Sequence, residues 1–305
     1  MNYKIKNLHD INNFKSIWDN ILLQSKYHWF WSGRDFYEFN IEYLKEKKFF
    51  FKDLSFIVFS NNEPCAIVIL ILKYINKKKQ IVAAYDSSPL PWPIIPFDIK
   101  NYDQLNQYVQ EKIDQILTNH NVSKSSFHLN LNCKNKFLEE EFNQNLRKYN
   151  YIDKSFPSHL VILDKEKIKL RESYKKKISK YKDNYIMKII NHENFQKKFI
   201  NDYMKLHILD TGGNFRSKKT YEIQLNPIKK NQGFVVTAYS NKNELKGALI
   251  IYHDTLSAYE PSVAVNPDDK KNYLSHILKL NAIDYMFQLN LKEFELGKAS
   301  LSPSF

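Results

Sequence analysis

Glycine, arginine and cysteine are all scarce in this 305-residue chain, and each scarcity excludes a kind of chemistry. The six glycines (Gly33, Gly212, Gly213, Gly233, Gly247 and Gly297) leave no window for G-x-G-x-x-G or a Walker A loop, so phosphate cradles built from clustered glycines are absent. Four arginines (Arg34, Arg147, Arg171 and Arg216) stand against 42 lysines. Readers of DNA bases and buried phosphate clamps favour the planar, bidentate arginine fork, so this lysine excess does not by itself indicate nucleic acid. Two cysteines, Cys65 and Cys133, form neither a C-x-x-C motif nor a disulfide framework, as expected in a reducing compartment. The opening MNYKIKNLHDINNF has no apolar core of a signal peptide, and the longest apolar run, Cys65–Leu72, is far short of a bilayer span. A soluble, cytoplasmic chain is expected. His192-Glu193 lacks the second histidine of H-E-x-x-H, no other histidines have zinc-ligand spacing, and no nucleophile elbow occurs. Metal catalysis and serine or cysteine hydrolysis are therefore not expected.

What is present is enough apolar material for a sizeable core: 43% of residues are hydrophobic and 15% aromatic. The length suits one large domain or two of about 150 residues. Ile11, Phe14, Ile17, Trp18, Ile21 and Leu22 recur at helical spacing, which predicts an amphipathic helix capped by Asp10, and a second helix follows over about 36–48. Leu54–Ser60 and Cys65–Ile75 flank the polar turn Asn61-Asn62-Glu63-Pro64 and read as an antiparallel hairpin that Gln80–Tyr85 extends. Asp86–Pro96 holds four of the ten prolines, which rules out helix and central strand. Helices over 102–118 and 136–149 alternate with strands over 126–132 and 158–163.

After Asp164 the character changes. Lys165–Lys182 carries nine basic and two acidic residues, more than half of the chain's net charge of +13, with Leu170, Tyr174, Ile178 and Tyr181 on one helical face and Asp164 as a cap. A solvated face is one reading of this helix and a seat for an anionic ligand the other. Beyond it the pattern predicts a strand over 185–190, helices over 193–209 and about 218–230, strands over 234–240, 245–253 and 257–265, a helix over about 270–289 and a strand over 293–296. Phe56–Ile71 and Val235–Tyr252 resemble each other, with Ser60 matching Ser240, and the order of helices around them repeats. The expected fold is therefore α/β with α+β mixed sheets, in two related lobes, 1–164 and 165–305.

Ser262–Leu296 (SVAVNPDDKKNYLSHILKLNAIDYMFQLNLKEFEL) resembles the strand–loop–helix–strand core of GNAT-type acyltransferases. Leu206–Gln224 (LHILDTGGNFRSKKTYEIQ), Arg171–Lys180 and Asp86–Ile95 resemble segments of FemAB-like, peptidoglycan-bridge-type proteins. The resemblance covers nearly the whole chain and implies two tandem GNAT-like lobes, each a mostly antiparallel mixed sheet flanked by helices. It implies transfer of an acyl or aminoacyl group, from acyl-CoA or aminoacyl-tRNA, to an amine on an amino sugar, peptide or cell-envelope or surface-glycan precursor. The donor loop departs from the GNAT pattern: Asp268–Tyr273 has two acids and no glycine, which counts against ordinary acetyl-CoA binding. The chain ends nine residues after Leu296, which reads as an abbreviated final lobe. The alternative is a non-catalytic relative, or an RNA-binding module that holds tRNA on the helix 165–182.

Acyl transfer needs a deprotonated amine, and Glu260 in SAYEPSVAV occupies the place of a GNAT-like base; its other reading is an edge-strand side chain facing solvent. His207, before the helix stop Gly212-Gly213, and His253, at a strand end, are further catalytic candidates, each also readable as a packing residue. Arg216 suggests a bidentate grip on a carboxylate or phosphate, or else a structural ion pair. Tyr221 and Gln224 on the following helix, and Tyr259 beside Glu260, are candidate substrate contacts. Lys270, Lys271, Asn272, Ser275 and His276 lie at the loop and helix start where the resemblance places the donor's phosphates.

Overall fold

A computed structural model describes residues 2–25, 30–75, 80–85, 89–96, 99–128, 148–149, 151–152, 158–166, 172–213 and 216–298. The chain divides into two units, Met1–Lys154 and Ser155–Phe305. Residues 129–132 of the strand expected over 126–132, most of the helix over 136–149, Cys133, and the middle of the basic segment at 167–171 lie outside the described residues.

The first unit begins with β1 (Tyr3–Asn7), α1 (Phe14–Gln24), α2 (Arg34–Glu46), β2 (Phe51–Asp53), β3 (Phe56–Ser60) and β4 (Glu63–Val68). It continues with β5 (Ile71–Ile75), β6 (Gln80–Ala83), β7 (Leu90–Pro91), α3 (Tyr102–Asn119), β8 (Lys124–Ser125) and β9 (Phe127–His128). Strands β1, β3 and β4 form one sheet and β2, β5, β6 and β8 another, with β7 and β9 as a parallel pair. The β3–β4 hairpin forms where expected because Asn61 and Asn62 both adopt positive φ, the geometry of a two-residue turn that matches strand twist. The proline-rich segment contributes the two-residue β7 and single bridges at Ile94 and Pro96. Helix α1 starts later than its apolar spacing suggests: Asn13 is its N-cap, while Asp10 ends a 3-10 turn and accepts from Asn7 Nδ2.

The second unit contains β10 (Ser158–Ile162), α4 (Glu172–Tyr181), β11 (Ile186–Ile190), α5 (Lys198–Thr211), α6 (Lys218–Gln224), α7 (Asn226–Lys229) and β12 (Gly233–Tyr239). It ends with β13 (Leu245–His253), β14 (Ser257–Val265), α8 (Leu274–Gln288) and β15 (Glu293–Lys298). Its six strands run β10-β15-β14-β13-β12-β11, antiparallel except for β14 beside β15. Strand β10, expected at the end of the first lobe, thus completes the sheet of the second unit through β15, a long-range pairing that local patterning does not encode. Like the β3–β4 hairpin, the β12–β13 hairpin has a register shift next to its turn, between Ala238 and Tyr239.

Helices cover both faces of this sheet. Phe234, Val236, Leu249, Ile251 and Ala258 join Leu274, Ile277, Leu278, Ala282 and Met286 of α8 in one core. On the other face α5 and its neighbours pack on β13 and β14, with the Tyr252 hydroxyl donating to the Gln224 carbonyl at 2.6 Å. Gly247 lets α8 approach closely, since a Cβ there would lie 2.9 Å from Leu278 Cδ1 and 3.0 Å from Leu274 Cδ2. Three expected helices have shifted or broken ends. The helix expected from 193 starts at Lys198 because Asn191 and Asn194 cap an Asx turn before it. The helix expected over 218–230 divides at Leu225, ahead of Pro227. The helix expected from 270 divides at Tyr273, whose φ of 58° separates a 3-10 helix, Pro267–Asn272, from α8.

Candidate active site

The sequence of β14, SAYEPSVAV, creates the site by interrupting its own ladder. Residues Ser257, Ala258 and Tyr259 pair in parallel with Glu293, Phe294 and Glu295 of β15. Beyond Tyr259 the two strands part: β14 stays with β13 up to Val265, while β15 continues beside β10. Opposite Tyr252 stands Tyr259 and opposite Ile250 stands Ser262, so Glu260 and Pro261 together face the single residue Ile251. This is a β-bulge, and proline, having no N–H, cannot carry the ladder across to β15 at that point. One extra residue reverses the alternation of side chains. Ala258 and Glu260 face α8 before the bulge, Val263 and Val265 face it afterwards, and Ser262 meets Tyr203 of α5 on the opposite face at 2.8 Å.

Glu260 therefore sits at the root of the opening, with its side chain 10% exposed. That burial excludes the solvent-facing reading. Lys279 Nζ of α8 approaches Oε2 to 3.1 Å and is the ion-pair partner of this buried oxygen. Burial raises the carboxyl pKa above its ordinary value, and the Lys279 ammonium opposes the rise. Tyr259 beside it is pushed up to about 12 by burial, then by Glu295 and Glu260.

A second polar cluster lies on the α5–α6 face. His207 is buried, its Nδ1 3.2 Å from the Tyr221 hydroxyl, with the rings of Tyr203 and Tyr221 packed around it. Burial holds its pKa below the usual imidazole value, Arg216 adds to the effect and Asp210 opposes it, so the ring is neutral near pH 7. Arg216 Nη1 donates to Gln224 Oε1 at 3.1 Å, and the guanidinium forms no ion pair among the described residues. The structural ion-pair reading of Arg216 thus finds no acid there. Gly212 ends α5 with φ 71°, the left-handed stop expected of it.

The loop before α8 is held by its own side chains. Asp269 Oδ1 accepts from the Tyr185 hydroxyl at 2.6 Å, Asn272 Nδ2 donates to the same hydroxyl at 3.0 Å, and Lys270 Nζ pairs with Asp210 at 2.7 Å. Lys270 and Asn272 are thereby engaged within the protein, whereas Lys271 is exposed. Ser275 Oγ lies 3.4 Å from His276 Nδ1 at the start of α8, and burial lowers the His276 pKa. His253 is placed apart, at the closed end of the β13–β14 ladder opposite Ala258, its Nδ1 3.0 Å from the Asp254 carbonyl.

The structure thus joins Arg216, Gln224, Tyr221 and His207 in one cluster, sets Glu260 and Tyr259 at the opening, and leaves His253 beside neither. Lys279, Tyr203, Ser262 and Tyr185 were not among the candidates read from sequence. For Lys279 a signal existed, because it falls one helical turn after Ser275; for Ser262 none did, because a bulge decides its face. Among the described residues no group of three metal-ligating side chains occurs, and no helix is long and apolar enough to cross a membrane.

No family model and no curated protein matches the sequence. Solved structures do. FemX superposes with a TM-score of 0.68 at 9% identity, covering 100% of this chain and 90% of that one. A tandem GNAT protein from the clavulanic acid biosynthesis pathway gives 0.55 at 9% identity, over 99% and 91%. L-PGS from Bacillus licheniformis gives 0.52 at 12% identity, over 88% and 77%. By this likeness the chain has the fold that FemX and the tandem GNAT protein share.

Proposed function

We propose that the protein is an N-acyltransferase in which Glu260 is the general base. The observation that carries this is the buried carboxylate of Glu260, held against Lys279 at the point where β14 and β15 part. A carboxylate has more acceptor positions than the Lys279 contact uses, so it can also take an N–H of the acceptor amine. In the step proposed, the amine nitrogen attacks the acyl carbonyl, its proton passes to Glu260, and the tetrahedral intermediate collapses with loss of the donor's thiol or ribose hydroxyl, which takes up the proton.

Arg216 is assigned to an anionic group of the acceptor, a carboxylate or phosphate, with Tyr221 and Gln224 positioning it and His207 as a neutral hydrogen-bonding wall. The acceptor class, an amine on an amino sugar, peptide or envelope precursor, rests on the family resemblance. Aminoacyl-tRNA is favoured over acyl-CoA as donor because the loop at Pro267–Asn272 has no glycine and spends Lys270 and Asn272 internally. The exposed lysines 175, 176, 177 and 180 of α4, which packs on α8 and this loop, offer a polyanion a basic face. The melting temperature measured with acetyl-CoA, a longer acyl-CoA and a charged tRNA tests the donor: a ligand of the native state at a hundred times its Kd adds about 2.7 kcal/mol. A rise with charged tRNA alone is expected, and no rise with any of the three would refute the assignment.

A further inference from the structure

The buried carboxylate of Glu260 poses a physical problem that the bulge alone does not solve. A carboxyl removed from water takes up a proton unless a positive charge stands near it, and a protonated carboxyl accepts none from an amine. The groups around Glu260 come from several elements. Strand β13 brings Ile250, Ile251 and Tyr252, none charged, and the Tyr252 hydroxyl is committed to Gln224 on the far face. Strand β15 brings Glu295 and β14 itself brings Tyr259, neither of them cationic. Helix α5, on the other side of the sheet, carries His207 and Asp210, which act on Arg216 and Lys270. Helix α8 carries His276, which burial keeps neutral near pH 7, and Lys279.

We infer that Lys279 is a positioning residue for the proposed reaction, holding the Glu260 carboxylate ionised at the root of the β14–β15 opening. This rests on the reading of Glu260 as the base. The pair is asymmetric in a way that suits such a role, because Lys279 is 32% exposed and keeps contact with water, while Glu260 is 10% exposed. The lysine therefore keeps part of its hydration, while the carboxylate gains its counter-charge. The two oxygens of a carboxylate offer about four acceptor positions, so the Lys279 contact at 3.1 Å leaves room for a substrate N–H. As a partly exposed helical position, 279 accepts replacement without loss of the core.

The test is a carbon-13 NMR titration of the Glu260 carboxyl, assigned with the Glu260→Gln protein, in wild type, Lys279→Met and Lys279→Arg. In Lys279→Met the carboxyl is expected to titrate at a higher pH than in wild type, and in Lys279→Arg close to wild type. The acid limb of the transfer rate should move upward by the same amount in Lys279→Met, with KM for the donor unchanged. An unchanged Glu260 titration in Lys279→Met overturns the inference. A shifted titration in a protein that transfers no acyl group supports the inference about Lys279 and overturns the acyltransferase reading instead.

Discussion

At the residue scale, the buried Glu260 has a cost that can be measured apart from any activity. Its pKa is raised in the folded protein, so between its unfolded value and that raised value the folded state binds more protons and stability falls as pH rises. Glu260→Gln abolishes this loss, and its melting temperature at pH 7.5 should equal or exceed that of wild type. Thermal scans of the two proteins at pH 5 and pH 7.5 check this, with the advantage of the variant larger at the higher pH. Arg216 makes a different prediction. Hydrogen bonds to charged groups are worth about 1.5–3 kcal/mol, so Arg216→Ala should raise KM for an anionic acceptor about tenfold to a hundredfold. Arg216→Lys should not restore it, because a point charge cannot make the bidentate contact. Initial-rate kinetics against acceptor concentration decide the matter.

At the scale of elements, much of the fold was legible in the sequence, and the exceptions have physical causes. Apolar periodicity marked α1, α3, α5 and α8 because each buries a stripe, and Asn61-Asn62 marked a hairpin because asparagine tolerates positive φ. The turn at Asn191–Asn194, the stop at Tyr273 and the partnership of β10 with β15 were not legible. The first two depend on side-chain hydrogen bonds and local backbone geometry, and the third on pairing over more than 130 residues of chain. The site was legible in part. Glu260 was singled out through the GNAT resemblance and Arg216 by its residue type, but the bulge that sends Glu260 toward α8 and Ser262 toward α5 is a property of the ladder. Close packing of α8 against β13 depends on Gly247. Gly247→Ala should destabilise by about 1–3 kcal/mol through overpacking against Leu274 and Leu278, as a denaturant titration can show.

At the scale of the whole molecule, three histidines of the second unit, His207, His253 and His276, all have pKa values lowered by burial. In each the unfolded state binds the proton more readily, so stability is fully present above the unfolded histidine pKa and is lost as pH falls through and below it. The melting temperature should decline between pH 7.5 and 5.5, and His253→Gln, which removes one of the three, should flatten the decline. The net charge of +13 also has a clearer meaning. It is concentrated in the segment 165–182 rather than spread over the surface, and helix α4 of that segment stands beside the 3-10 helix Pro267–Asn272 and α8. A donor with a long phosphate backbone would make transfer steeply salt-dependent, whereas acyl-CoA would not.

The most direct measurement is the rate of acyl transfer from charged tRNA and from acyl-CoA to an amine acceptor, wild type against Glu260→Gln, both proteins shown to be folded. General bases contribute about 10²- to 10⁴-fold, so transfer by wild type and a loss of that size in the variant are expected. Transfer at an undiminished rate by Glu260→Gln would contradict the role given to the carboxylate at the opening between β14 and β15.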